Sequence, residues 1–593
     1  MKLIIVTLFV VHFFVLQTFS QTDKVRLAQS YEQQGDFANS YRLYSQLLDS
    51  EPLNTSYFLG IVRSLNNQQK YTELLPIAET QVKRAPSSVT YSIAAETYWK
   101  MGQSAKADEF WNIGVQEFCF SELDYSIIAK SQLGQRQLEK AITTYLAARE
   151  KLKSKDIFAD ELSQCYAAVG NVELSMNEII NLLFKNNNLG VVQGKITALL
   201  TNQNSIVTVE NSLVELKNKD VSNLLNYRLL EWFYRSTNQM NKALQIVSEL
   251  DKKSGSNGSE ILQFATVSSL DGNYNDALSA YSLLIDNNSV PAYIRVAAIF
   301  GYTKTLETKL SHSSSISKEQ ISEVILRYDN ILNDPTASAF APEIHYRKGI
   351  VLKTFDKNLE LAKKEFLICI TKYNGSNFAS IARIELAEIS IQENIFVEAK
   401  KLLQPLFLLP EKNDLRRKAD FLLAEMFWFN GEVDTAKSVY SIIAKRVNTN
   451  EANDALERII LIEQFQDQKS RLQKYAKAEF LTYQQKLEDA ISAFKTILVE
   501  NSSDDITELS YLSLNDLYFK VNQVDKIIIL YSEFEAKFPE SIWGDKLLFN
   551  YALALKKSQR IEESKSAFQL LLSKYPASIY LSATREELKK IIL

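Results

Sequence analysis

A small residue followed four positions later by a large apolar one recurs along almost the whole chain, and nothing else constrains its fold so tightly. Near 34-residue steps, Ser40 pairs with Tyr44, Ala107 with Trp111, Ala141 with Tyr145, Ala243 with Val247 and Ala277 with Tyr281. The series continues through Ala362 and Phe366, Ala399 and Leu403, Ala436 and Tyr440, Ala490 and Phe494, and Ser564 and Phe568. Twelve residues earlier a second small residue recurs, at Ala28, Ala95, Ala129, Ala265, Ala387, Ala424, Ala478 and Ala552. Positions four apart share a helical face. Two small positions at this offset let paired helices approach closely, and the large residue fills the space between that pair and the next. Such a unit cannot bury its apolar face alone, so copies must stack, and a length of 593 residues does not divide into domains by size.

Glycines at 35, 102, 170, 272 and 431 mark the turn between the two helices of a unit, and Pro52, Pro86, Pro539 and Pro576 stop the second helix. Glycine and proline are otherwise scarce, with 16 and 10 copies, as an almost wholly helical chain requires. This pattern resembles the tetratricopeptide repeat, with its small-residue first helix, glycine turn, A-x3-F second helix and terminal proline. The resemblance implies an all-α superhelix, a solenoid of roughly fifteen helix pairs. The step stays near 34 from residue 21 to 310 and lengthens to 37 from residue 342, apart from one larger insertion around 451–469. Between them SHSSSIS, residues 311–317, reads as a surface loop or hinge separating an N-terminal solenoid, 21–310, from a C-terminal one, 318–593, that ends in a capping helix.

The stretch LDGNYNDALSAY, residues 270–281, tests the reading, because Asp271, Asn273 and Asn275 alternate as the opening of a calcium loop would. Such a loop needs glycine at its sixth position and a bidentate glutamate at its twelfth, where this chain has Asp276 and Ser282. A turn accounts for every residue instead: Gly272 takes the left-handed backbone angle, and Ala277 and Tyr281 begin the next helical face.

The N-terminus carries an address. Met1-Lys2 precedes the apolar run LIIVTLFVVHFFVLQTF, and Thr18 and Ser20 suit a signal-peptidase site, so residues 1–20 read as a cleaved secretory signal. An uncleaved membrane anchor is the alternative, because a run of about 17 apolar residues is at the short limit for spanning a bilayer. No cysteine follows the cut to carry a lipid, and no later stretch is apolar for long enough to span a membrane. Cys119, Cys165 and Cys369 read as buried free thiols, with a bond between the first two open in an oxidising compartment. The net charge of −4 is spread along the chain, which argues against a nucleic-acid partner. The final repeats, with KFPESIWGDKLLFNYALAL and SKYPASIYLSATREEL, are similar to the TolA-binding cell-division coordinator and the outer-membrane barrel-assembly lipoprotein families. That likeness implies an exported protein, periplasmic or associated with a bacterial outer membrane. The missing lipid-bearing cysteine sets it apart from the lipoprotein role.

Catalytic constellations are hard to find. His312 and His345 are the only histidines after the signal, and the elbow, zincin, P-loop and dinucleotide signatures are missing. Neither catalytic residues, nor a metal site, nor a cofactor is expected. Recognition remains as the chemistry: first helices line the inner face of such a solenoid. The repeat phase places Trp99 and Lys100, Arg228, Trp232 and Arg235, Phe300 and Lys304, and Trp428 and Phe429 in or near that groove. Arg228, Trp232 and Arg235 project together from one helix, and arginine and tryptophan dominate many interfaces. The expected function is a non-enzymatic scaffold for other envelope proteins, with glycan or peptidoglycan contact as the alternative.

Overall fold

The computed structural model describes residues 21–186, 188–313, 315–500 and 503–592; the signal assigned to residues 1–20 lies outside them. Every regular element among the described residues is a helix. The chain divides into two compact units between Phe264 and Ala265. The first contains seven helix pairs: α1 (21–33) with α2 (Phe37–Ser50), α3 (Thr55–Asn67) with α4 (Tyr71–Arg84), α5 (Ser88–Lys100) with α6 (Ser104–Phe118), α7 (Glu122–Gly134) with α8 (Leu138–Lys151), α9 (Ala159–Ala168) with α10 (Val172–Asn186), α11 (Leu189–Leu199) with α12 (Gln203–Lys219), and α13 (Leu224–Ser236) with α14 (Met240–Ser254).

The division falls within α15 (Ser259–Leu270), which pairs with α16 (Tyr274–Ile285). The second unit continues with α17 (Ala292–Ser311) and α18 (Lys318–Leu332), α19 (Ala341–Thr354) and α20 (Leu359–Lys372), α21 (Asn377–Gln392) and α22 (Phe396–Leu403), and α23 (Asp414–Phe429) and α24 (Val433–Ile443). After an unpaired helix, α25 (Asn450–Gln464), come α26 (Lys469–Tyr483) with α27 (Leu487–Val499), α28 (Asp505–Lys520) with α29 (Val524–Lys537), α30 (Gly544–Lys557) with α31 (Ile561–Lys574), and the closing helix α32 (Leu581–Ile592). Ser311 ends α17 and Ser317 caps α18 through a reciprocal bond with Gln320, so both flanks of the 311–317 stretch belong to the second unit.

The small and large positions of the repeat form the core. All ten small residues of the first series are sealed from solvent, and none of their large partners is more than 4 % exposed. The same places in the other five pairs are held by Leu74 and Ala78, Ser175 and Ile179, Val209 and Leu213, Val324 and Tyr328, and Ile527 and Tyr531, again buried. The twelve-residue offset brings backbones close: Ser175 Oγ donates to Ser163 O and Ser564 Oγ to Ala552 O, each at 2.8 Å. A serine in this seam satisfies its hydroxyl on the facing helix and so costs little when buried.

Gly272 has φ +83°, and Ala277 and Tyr281 are buried, so residues 270–281 are the turn and second helix of one unit. Asn275 Oδ1 accepts from Lys309 Nζ at 2.9 Å. Cys119, Cys165 and Cys369 are buried, unbonded thiols, and burial raises the pKa of Cys119 and Cys369 to about 12. Among the described residues no helix is long and apolar enough to cross a membrane.

Candidate partner-binding site

Several successive first helices touch, α5 with α7 and α11 with α13 in the first unit and α19, α21, α23, α26, α28 and α30 in turn in the second, whereas among the described residues contacts of this kind between second helices are confined to α10 and α12. The first helices therefore form the more crowded layer, and their side chains between core positions offer the surface on which a ligand can lie.

In the first unit Arg228 is exposed on α13 and its Nη2 lies 2.7 Å from Glu260 Oε1. Trp232 is half-buried, and Arg235 Nη1 approaches Glu231 at 3.5 Å on the same helix. Burial raises the Glu231 carboxyl pKa although Arg235 and Arg228 act to lower it. Trp99 is half-buried against Trp111, with ring centres 5.9 Å apart, and Lys140 Nζ sits 5.1 Å above it. Lys100 Nζ donates to Asn66 Oδ1 at 3.1 Å and lies over the Tyr71 ring. These side chains bridge neighbouring repeats and still meet solvent.

Two of the groove assignments are corrected. Phe300 is 5 % exposed and packs 4.7 Å from Phe340, covered by Lys304, whose Nζ reaches Glu343 at 3.0 Å. Trp428 is fully enclosed. Both lie one position too deep, because an aromatic beside the seam gains more from burial than from a place in the groove. Phe429 remains half-buried at a surface, stacked on Phe480 with ring centres 5.1 Å apart and tilted against Tyr483 at 5.3 Å.

Trp428 has a role from below. Its indole N–H donates to Glu479 Oε2 at 2.7 Å, and the Arg458 guanidinium stands 5.0 Å from its ring centre. Arg458, on the unpaired α25, joins Glu425 of α23 to Glu479 of α26: Nη1 lies 2.8 Å from Glu479 Oε2 and Nε 3.3 Å from Glu425 Oε1. The Tyr440 hydroxyl also donates to Glu425. Burial works against the charge on Arg458, but the two carboxylates outweigh it and hold the guanidinium protonated. Burial raises the pKa of Glu479 even with Arg458 bonded to it, and the neighbouring Glu425 acts in the same direction.

This cluster floors a cavity of about 480 Å³ in the second unit, walled by Phe429 and Tyr483 and rimmed by Gln485 and Lys520. The end of α26 reaches past α23 to α21, where Gln484 Nε2 donates to Gln392 O at 3.0 Å. Sequence reasoning placed Phe429 near the groove but missed Glu425, Arg458 and Glu479. Their signal was the larger insertion around 451–469, which breaks the repeat and supplies the helix carrying Arg458.

His345 and His312 are drawn into local contacts. His345 Nδ1 lies 2.6 Å from Glu365 Oε2, and His312 Nδ1 lies 2.9 Å from Thr308 O. Among the described residues no three His, Cys, Asp or Glu side chains are gathered to hold a metal ion.

A family model described as tetratricopeptide repeat matches residues 25–54 and 546–578, which fall on α1 with α2 and on α30 with α31. The chain is thus an all-α stack of helix pairs that carries tetratricopeptide repeats in its first and last pairs. Among solved structures it is similar to Naa15/Naa10 bound to HypK-THB, at 10 % identity over 97 % of this chain and 96 % of that one, TM-score 0.27. It is also similar to yeast Tom70, at 12 % identity over 95 % and 100 %, TM-score 0.25, and to the APC/C hetero-tetramer Cut9-Hcn1, at 14 % over 90 % and 96 %, TM-score 0.25. No curated protein matches the chain.

Proposed function

We propose that this chain is a non-enzymatic scaffold that holds protein partners against its first helices, exported to the periplasm or outer membrane of a bacterial envelope without a lipid anchor. The observation that carries the reading is Arg228 beside Trp232 on α13: a charged head and a wide aromatic share one accessible face and are not consumed by the core. The repeat fixes its seam and leaves such positions free to vary, so recognition can be written onto a constant frame. The envelope address rests on the apolar leader and on the resemblance of the final repeats.

Proximity crosslinking in the native host, with the Arg228→Ala/Trp232→Ala chain beside the parent, tests the scaffold. A specific envelope protein recovered with the parent and lost with the variant supports it; equal recovery removes this face. Mass spectrometry of the mature N-terminus tests the address, which requires cleavage near residue 20.

Glycan contact has its own supporting observation. A cavity of about 800 Å³ between α10 and α12 is lined by Asn177, Asn181, Asn211 and Ser212 beside Phe184, which is 52 % exposed. Amides and hydroxyls around an exposed ring suit a sugar's hydroxyls and apolar face. Retention of the purified chain on peptidoglycan, abolished by Phe184→Ala, favours this reading.

A further inference from the structure

We propose that the cavity bounded by α23, α25, α26 and α28 takes the side chain of a lysine presented by a partner polypeptide, an assignment that rests on the scaffold reading and supplies the chemistry of its partner.

Charge sets the sign of the ligand. Glu425 and Glu479 face a single guanidinium, Arg458, so the floor carries one surplus negative charge. These three side chains keep 12, 21 and 20 % of their surface exposed, so the floor can be reached from the cavity. An anion would find Arg458 already occupied by both carboxylates. Glu425 accepts from Arg458 twice and from Tyr440, and Glu479 from Arg458 twice and from Trp428, so of the roughly four acceptor sites of an ionised carboxylate each keeps about one for a cation. Asp516 on the rim is 2.9 Å from Lys546, and Lys520 is exposed at the same mouth. Neighbouring pKa values agree with a negative interior: after burial, the carboxylates of Glu388, Glu425 and Glu385 are what push the Tyr483 phenol upward.

Shape and chemistry then choose lysine over arginine. Phe429 and Tyr483 present aromatic surface along the wall, suited to the methylene stem and to a cation near a ring face. Arginine binds best to a carboxylate that can receive its planar fork, and Arg458 already spans both. An ammonium is a point charge with three donors and can use the remaining lone pairs, with the Thr482 and Ser513 hydroxyls also on the lining.

The test uses the full mature chain labelled with 5-fluorotryptophan. Trp428 is bonded to Glu479, so its fluorine resonance, assigned with Trp428→Phe, reports on the floor. Titration with N-acetyl-lysine methylamide is expected to shift it saturably, while the norleucine and glutamate analogues leave it in place. Because the core variants disturb packing, affinity is tuned at the exposed rim. Lys520→Gln should tighten lysine binding about twofold to fivefold and Gln485→Lys weaken it by a similar factor, the range expected of exposed charges. No saturable shift, an equal response to norleucine, or indifference to both rim changes overturns the assignment. The crosslinking of the Arg228 and Trp232 face reads the other unit, so it can succeed where this titration fails.

Discussion

The ring of Tyr44 on α2 fills the space that a side chain at Gly60 on α3 would need: a β-carbon there would lie 2.6 Å from three of its ring carbons. Gly301 stands in the same relation to Tyr281, and Gly349 to Phe366. The large residue of the repeat thus settles onto a backbone stripped of its side chain, which tightens packing at a cost in helix propensity. Gly60→Ala and Gly301→Ala are expected to destabilise by about 1–3 kcal/mol, the penalty for forcing atoms into a filled core. Gly194, within α11, has nothing within 4 Å of its missing β-carbon, so Gly194→Ala should gain about 0.5–1 kcal/mol. Urea unfolding followed by circular dichroism checks both; equal shifts at the three sites would contradict the packing account.

The turns inside the helix pairs make a second prediction. Gly35, Gly102, Gly170, Gly272 and Gly431 have φ between +76° and +83°, but the corresponding turns after α3, α7, α13, α21, α26, α28 and α30 put Gln69, Arg136, Asn238, Asn394, Gln485, Asn522 and Gln559 at positive φ. A side chain there costs about 1–2 kcal/mol, partly offset by the lower chain entropy of a non-glycine residue. Gln69→Gly, Arg136→Gly and Gln559→Gly should each stabilise by about 0.5–1 kcal/mol. Unchanged thermal midpoints would show that no strain resides in these turns.

The same turns explain what was legible. Ten seams could be read because alanine or serine precedes an apolar residue by four, and all ten lie in the core. Four others carry a larger residue in the small place, Leu74, Val209, Val324 and Ile527, and are buried all the same, so residue size alone does not mark the seam. The fifth, Ser175 with Ile179, fits the pattern but is followed by a unit, Val209 with Leu213, that does not repeat it. The site was less legible. Trp428 and Phe429 were drawn to the same groove, yet one residue of helical rotation separates a sealed indole from an accessible ring. Glu425 and Glu479 look like ordinary surface carboxylates until α25 brings Arg458 between them, a long-range placement with no local signature.

Acid should weaken the second unit through Glu365. Burial acts to raise its pKa, but hydrogen bonds from His345 and Lys348 outweigh it, and the carboxyl is lowered from its usual 4.5. The folded state therefore holds this group deprotonated where the unfolded chain would bind a proton. That contribution is present above about pH 4.5 and lost as pH falls through the folded value. Glu365→Gln should cost about 1.5–3 kcal/mol at pH 7, the range for hydrogen bonds to charged groups. The gap from the parent should close as pH falls below 4.5; a gap that stays constant down to pH 3 would mean that the charge contributes nothing.

Arg458 is expected to be the most costly charge to remove. Arg458→Ala leaves Glu425 and Glu479 facing each other in a half-enclosed site, and stranding a buried charge in this way typically costs about 3–5 kcal/mol. Adding Glu479→Gln should recover part of that loss, because one carboxylate alone can be solvated through the cavity. The pH dependence has the opposite sign to that of Glu365. Without the guanidinium the folded site raises the Glu479 carboxyl pKa further, so the folded state binds more protons than the unfolded one and the variant regains stability as pH falls. Urea unfolding at pH 7 and pH 5, read by tryptophan fluorescence, should show the single variant's deficit shrinking at the lower pH and the double variant's changing less. A deficit that grows on acidification would assign Arg458 a packing role on Trp428 in place of an electrostatic one.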